Sequence, residues 1–166
     1  MSQPGSEESA AVFLSTSELE TDRLAAAFAG LLERGDVVAF EGTLGAGKTR
    51  LVRGLATALH ADQSFVSSPT FGLVQQYDGD LPIVHIDAYR LSDAGEFERM
   101  GGAELFDPEG VTLVEWSERI AGSLPRERWT VSARHVGETS REYAIQSTHR
   151  DAARRMAAVK SIRVAE

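Results

Sequence analysis

Val37-Val38-Ala39-Phe40-Glu41-Gly42-Thr43-Leu44-Gly45-Ala46-Gly47-Lys48-Thr49 is the stretch that decides how this chain is read. An apolar strand pattern runs into Gly-x-x-x-x-Gly-Lys-Thr, and a helical pattern follows over residues 50–59. Each residue type there has a physical task. Gly42 and Gly47 allow the backbone torsions that wrap a loop around an anion with main-chain N–H groups pointing inward. Gly45 and Ala46 keep bulk away from that anion. Lys48 reaches β- and γ-phosphates, and the Thr49 hydroxyl is a Mg²⁺ ligand. The helix that follows adds the partial positive charge of its N-terminus. The bland alternative, a glycine-rich turn before an ordinary helix, leaves the Lys-Thr pair unexplained. Residues 42–50, including Thr43, Leu44 and Arg50, are therefore the candidate nucleotide-binding stretch, a P-loop.

The rest of the composition bounds the class. A chain of 166 residues with 42% hydrophobic and 25% charged residues suits one soluble domain. Cysteine is absent, which excludes disulfides, thiolate metal sites and a catalytic thiol. No apolar run has membrane-spanning length, and residues 1–10 lack the pattern of a signal peptide, so a cytoplasmic location is expected. Net charge is −8 and uneven. Residues 149–166 carry five basic and two acidic side chains, a net of +3, which leaves −11 on the remainder. A body that acidic repels nucleic acid and argues against a broad RNA-binding face. Lys48 and Lys160 are the only lysines among seventeen basic residues.

Outward from the P-loop, residues 1–10 read as disordered and 11–14 as an edge strand. Ser17 is a candidate N-cap for a helix with Leu24, Ala27, Phe28, Leu31 and Leu32 on its apolar face, ending near Gly35. After the P-loop helix a loop leads to a hairpin, residues 72–77 and 83–88 around Asp78-Gly79-Asp80. Short helices are expected near residues 92–100, 103–106 and 117–121, a buried strand over 111–116, and a final antiparallel pair over 129–136 and 142–147. The pattern is α/β, a three-layer P-loop NTPase-like fold with a central mostly parallel sheet and antiparallel additions. Residues 11–148 form one domain, followed by a basic tail over 149–166 that is helical or disordered.

A P-loop requires an acid near its metal, at the carboxyl end of a neighbouring strand. Two strands supply one: Ile83-Val84-His85-Ile86-Asp87 ends in Asp87, and Val111-Thr112-Leu113-Val114-Glu115 ends in Glu115. Thr70, in Ser67-Ser68-Pro69-Thr70-Phe71, lies where switch loops sense a γ-phosphate, although an ordinary Ser-Pro-Thr turn fits as well. Trp116 and His85 read as core side chains. Arg90 suits either phosphate or an acidic partner. The chain has no asparagine, so it lacks the Asn-Lys-x-Asp guanine-reading motif, and ATP is the expected nucleotide.

Taken together, Leu44-Gly45-Ala46-Gly47-Lys48-Thr49, Ser68-Pro69-Thr70-Phe71, His85-Ile86-Asp87-Ala88-Tyr89-Arg90-Leu91 and Glu115-Trp116-Ser117-Glu118-Arg119 resemble, in order and spacing, the TsaE (YjeE) family. That family is the small P-loop ATPase of bacterial tRNA threonylcarbamoyladenosine synthesis, and the likeness covers residues 17–147. The resemblance implies that Thr49 and Glu115 hold Mg²⁺, that Thr70 belongs to a switch and that Asp87 is needed for turnover. It also implies that the segment around Leu19 and Thr21 covers the adenine. Family members usually have Asp where this chain has Thr43, and often Thr or Ser where it has Arg50. The basic tail is not explained by the resemblance.

The function implied is an ATPase subunit that uses ATP and Mg²⁺ and assembles with TsaB and TsaD. It would meet tRNA only through those partners, and it would have no membrane or DNA contact. Two rivals stay open on the residues alone. A small-molecule kinase would need a lid, for which Arg90, Arg99 and Arg119 are the available arginines. A nucleotide-binding scaffold without turnover is kept open by Thr43.

Overall fold

The apolar run Val37–Glu41 forms β2, the strand at the middle of a seven-stranded sheet, in a computed structural model that describes residues 10–62 and 73–164. The other elements are β1 (Ala11–Ser15), α1 (Glu18–Ala29), α2 (Lys48–Ala58), β3 (Val74–Tyr77), β4 (Ile83–Asp87), α3 (Ala94–Arg99), β5 (Val111–Glu115), β6 (Trp129–His135), β7 (Arg141–Ser147) and α4 (Ala152–Lys160). Two 3-10 helices, Gly102–Leu105 and Ser117–Ser123, stand where short helices were expected.

The strand order is β1-β7-β6-β2-β5-β4-β3. β6, β2, β5 and β4 run parallel to one another, and the antiparallel strands β7, β1 and β3 extend the two edges. This is the expected three-layer α/β architecture. Side-chain alternation along the strands divides the core. Val38 and Phe40 of β2, Val111 and Leu113 of β5 and Ile83 of β4 face α1, α2 and α4. Val37, Val114, Val84 and Ile86 face the opposite side, against Phe97 of α3 and Ile120. Residues 83, 85 and 87 of β4 and 111, 113 and 115 of β5 therefore look toward α2.

Local chemistry explains the helix bounds. The Ser17 hydroxyl accepts from Glu20 N at 3.2 Å, and the Glu20 carboxylate reaches back to Thr16 N at 2.6 Å, a variant of the capping box. α1 stops at Ala29, short of the expected Gly35, because Leu31 N and Leu32 N bond three residues back, to Phe28 O and Ala29 O, and tighten the last turn. α1 and α2 approach closely at Gly54, where a Cβ would sit 2.6 Å from Ala25 Cβ.

The tail boundary needs correction. Residues 149–166 were set apart from the domain, yet α4 buries Met156 and Val159 in the same core as Phe28 and Trp129, and Val164 joins them. Its arginines are spent on the body of the molecule. Arg155 makes two 2.9 Å bonds to Asp36, which is 4% exposed at the entry to β2 and also accepts from Trp129 Nε1 and lies 3.2 Å from His149 Nε2. Arg154 pairs with Glu33 and Asp151, and Arg150 with Glu127. Among the described residues, no helix is long and apolar enough to cross a membrane.

Candidate functional site

β2 ends at Glu41 and α2 begins at Lys48, and the turn between them depends on glycine torsions. Gly42, Gly45 and Gly47 have φ of 138°, 78° and 105°, values an L side chain rarely adopts. Space forbids a Cβ as well. One at Gly47 would collide with the Tyr143 hydroxyl, which donates to Gly47 O at 3.1 Å, and one at Gly42 would strike Ala133 O. Tyr143 is fully buried, and burial raises its pKa, so it stays a neutral donor holding the loop from β7. Ala46 is buried beneath the turn, while Thr43, Leu44 and Gly45 are exposed at its rim.

Thr49, in the first turn of α2, donates its hydroxyl to Glu115 Oε1 at 2.6 Å. The second oxygen of Glu115 lies 2.9 Å from His85 Nε2. Burial alone would raise the Glu115 pKa, but the bonds from His85 and Thr49 and the charge of Lys48 outweigh it, so the carboxylate is held below its usual range. Asp87 is the register partner of Glu115 on the next strand, and its Oδ1 accepts from Tyr89 N at 3.0 Å. Parallel pairing of β4 with β5 thus brings both strand-end acids to one point beside α2.

Lys48 is folded back on its own loop. Its Nζ donates to Gly42 O and Thr43 O and lies 3.8 Å from the centre of the Trp116 ring. Burial lowers the Lys48 pKa, against the pull of Glu118, Glu115 and Asp87. Trp116 is not a plain core residue. It is half-buried, has φ of 56°, and packs against Tyr89 with ring centres 4.9 Å apart and planes tilted by 52°. A bulky residue in that left-handed conformation costs roughly 1–3 kcal/mol, a strain that recurs at functional sites.

The remaining expected residues divide. Arg50 turns toward α1, 2.7 Å from Asp22 and 3.8 Å from Glu18. Leu19 is exposed in the first turn of α1, but Thr21 is 3% exposed and its hydroxyl meets Ser15 Oγ at 2.7 Å, so Thr21 fixes the β1–α1 corner and is not open to a base. Arg90 is exposed. Thr70 and its segment lie outside the described residues.

Two participants were missed. Arg141, from β7, lines the P-loop cleft with residues 44–50 and Trp116. His85 belongs to the acid cluster, as does a 530 Å³ cleft running from Thr49 and Glu115 along Arg53 and Thr57 to Gln75 and Tyr77. Nothing local marks Arg141. His85 carries a faint mark, because it shares strand parity with Asp87.

A cation suits this donor set. The Thr49 hydroxyl and Glu115 carboxylate already touch, and hard oxygen donors match Mg²⁺. Among the described residues, no three His, Asp or Glu side chains gather to hold an ion unaided. Phosphate and water oxygens would have to complete an octahedral shell.

Comparison with known proteins decides the family. Residues 15–143 match the family model described as threonylcarbamoyl adenosine biosynthesis protein TsaE. The chain belongs to the TsaE family. It is 39% identical over 132 residues to the tRNA threonylcarbamoyladenosine biosynthesis protein TsaE of Treponema pallidum, covering 80% of this chain and 97% of that one. It is 42% identical over 124 residues to the TsaE of Bacillus subtilis, covering 74% and 77%. The crystal structure of Bacillus subtilis YdiB superposes with a TM-score of 0.75 at 30% identity, covering 90% of this chain and 93% of that one. α4 lies beyond the stretch matched by the TsaE model.

Proposed function

We propose that this TsaE chain binds ATP with Mg²⁺ at residues 42–49 and hydrolyses it, in support of the threonylcarbamoylation of the adenosine beside the tRNA anticodon. The observation that carries the reading is the 2.6 Å bond between Thr49 and Glu115 at the mouth of a glycine loop. A loop of that shape offers main-chain N–H groups to a polyphosphate, and the hydroxyl–carboxylate pair offers oxygen ligands to its cation. Bound Mg²⁺ would neutralise phosphate charge and orient the terminal phosphoryl group.

The chain's own residues have separate tasks. Lys48 leaves the carbonyls of Gly42 and Thr43 to take a phosphate oxygen, a charge-assisted bond in place of two neutral ones. Glu115 stays ionised and would hold the cation together with Thr49. Asp87, with one oxygen tied to Tyr89 N, keeps the other for ordering the attacking water. Thr70 acts in a γ-phosphate switch. TsaB and TsaD are the partners, in the cytoplasm; they carry the transfer chemistry and the tRNA contact, and ATP turnover resets the assembly. Hydrolysis by the chain alone is slow: of the described arginines lining the P-loop cleft, Arg50 is paired with Asp22 and Arg141 donates to Ser140 O, so neither serves as an arginine finger, a group worth roughly 10³–10⁵-fold.

The test is phosphate release from Mg²⁺·ATP under multiple turnover, with the chain alone and with TsaB and TsaD. Slow release that rises on adding the pair is expected. Phosphate transfer to a small acceptor would turn the reading toward a kinase, and absence of turnover in both mixtures toward a scaffold.

A further inference from the structure

We infer that His85 is a positioning residue for Glu115: its Nε2–H holds one carboxylate oxygen so that the other stays aimed at Thr49. The inference rests on the reading of Thr49 and Glu115 as metal ligands.

The argument begins with register. β4 and β5 pair in parallel, with His85 opposite Leu113 and Asp87 opposite Glu115. His85, Asp87, Leu113 and Glu115 share the face toward α2, so the imidazole stands diagonally beside the Glu115 side chain. The Glu115 side chain is 5% exposed and that of His85 14% exposed, so little water is available to solvate the carboxylate. A buried carboxylate without donors is expensive, and Glu115 has two. Thr49 serves Oε1 and His85 serves Oε2, at 2.6 and 2.9 Å.

The two donors differ in what they can do once a cation is present. The Thr49 oxygen would itself be a metal ligand. The His85 bond stays outside the donor set and can persist unchanged. Partners of this kind, one bond removed from the ligand, fix its orientation and its charge, and their loss typically costs roughly 10–100-fold in metal affinity. An apolar residue would fill the same volume in β4, but it would leave Oε2 unpaired and the carboxylate free to rotate. Donation also fixes the imidazole chemistry: the proton must reside on Nε2.

The experiment uses the full chain with ADP and Mn²⁺ as probes, Mn²⁺ standing in for Mg²⁺. Bound Mn²⁺ is read from loss of the free-ion electron paramagnetic resonance signal, for wild type, His85→Ala and His85→Gln. Metal-free ADP affinity is measured alongside. The expected result is a drop of about tenfold or more in Mn²⁺ affinity for His85→Ala, with metal-free ADP affinity unchanged. Most of the loss should be restored in His85→Gln, whose amide N–H can donate to the carboxylate. The imidazole ¹⁵N shifts of the wild type should show the proton on Nε2. Unchanged Mn²⁺ affinity in His85→Ala overturns the proposal, as does an equal loss in both variants or a proton on Nδ1 alone. If His85→Ala does not fold, His85→Gln and the wild-type ¹⁵N shifts decide. A wild-type chain that binds ADP but no Mn²⁺ defeats the underlying metal-site reading, a different failure from that of His85.

Discussion

At the scale of single residues, the site is a set of conflicts resolved by contact. Glu115 is buried and would be driven toward protonation, but Thr49 and His85 donate to it and keep it charged. Lys48 is buried, and its ammonium rests on two carbonyls and the face of Trp116. Two outcomes follow from these positions. Glu115→Ala should retain ATP, because Lys48 and the loop N–H groups remain, while losing turnover. Normal hydrolysis by that variant at low Mg²⁺ would make Asp87 the metal acid. Nucleotide binding should also draw the Lys48 ammonium off the Trp116 ring, so Trp116 emission should change on adding ATP to wild type. If Lys48 stays where it is, emission from Trp116 will not respond, and Trp129, buried at the other end of β2, gives no substitute signal.

Among elements, the sheet places the chemistry and α4 locks the sheet. Asp36 gathers Arg155, Trp129 and His149 at the entry to the strand whose exit is the P-loop. Removing Arg155 would leave a buried carboxylate short of its charge partner, at a cost of roughly 3 kcal/mol, and Arg155→Ala should melt several degrees lower. His149 adds a pH dependence. Burial, with the charge of Arg155, lowers its pKa below the ordinary 6.5, against the opposing pull of Asp36. Below 6.5 the unfolded chain takes up a proton that the folded chain refuses, so stability present above that value is lost on acidification toward the folded pKa. His149→Gln should flatten the fall in melting temperature between about pH 7 and 5.5; an unchanged slope would assign the fall to other groups. Much of this scale was legible in the sequence. The strand, Gly-x-x-x-x-Gly-Lys-Thr and helix announced themselves, and the two strand-end acids could be placed because parallel pairing leaves strand ends level. The position of α4 was not legible, since Met156 and Val159 are its two bulky apolar residues among alanines and basic side chains, too few to mark a buried face. Nor was the bond between His85 and Glu115, because a histidine within an apolar strand has the same pattern whether it meets a carboxylate or a neighbour's backbone. Thr21 was misplaced for a related reason: a hydroxyl in a first helical turn can face a ligand or close a corner, and only Ser15 across the turn decides.

For the whole molecule, charge sets the terms of association. Three of the tail's five basic side chains, Arg150, Arg154 and Arg155, are paired with Glu127, Glu33, Asp151 and Asp36, which leaves Lys160 and Arg163 too few to make a broad basic patch. The chain alone should therefore bind tRNA weakly, because phosphate contacts require uncommitted basic side chains. Filter binding across a salt series checks this, and tight, salt-sensitive binding by the isolated chain would contradict it. The central claim is that residues 42–49 hold the phosphates of ATP, with Lys48 as the charged partner. Calorimetric titration of ATP with Mg²⁺ into wild type and Lys48→Ala tests it most directly. The account predicts one-site binding by wild type and a loss of roughly 1.5–3 kcal/mol in the variant. Equal affinity in the two proteins would contradict it.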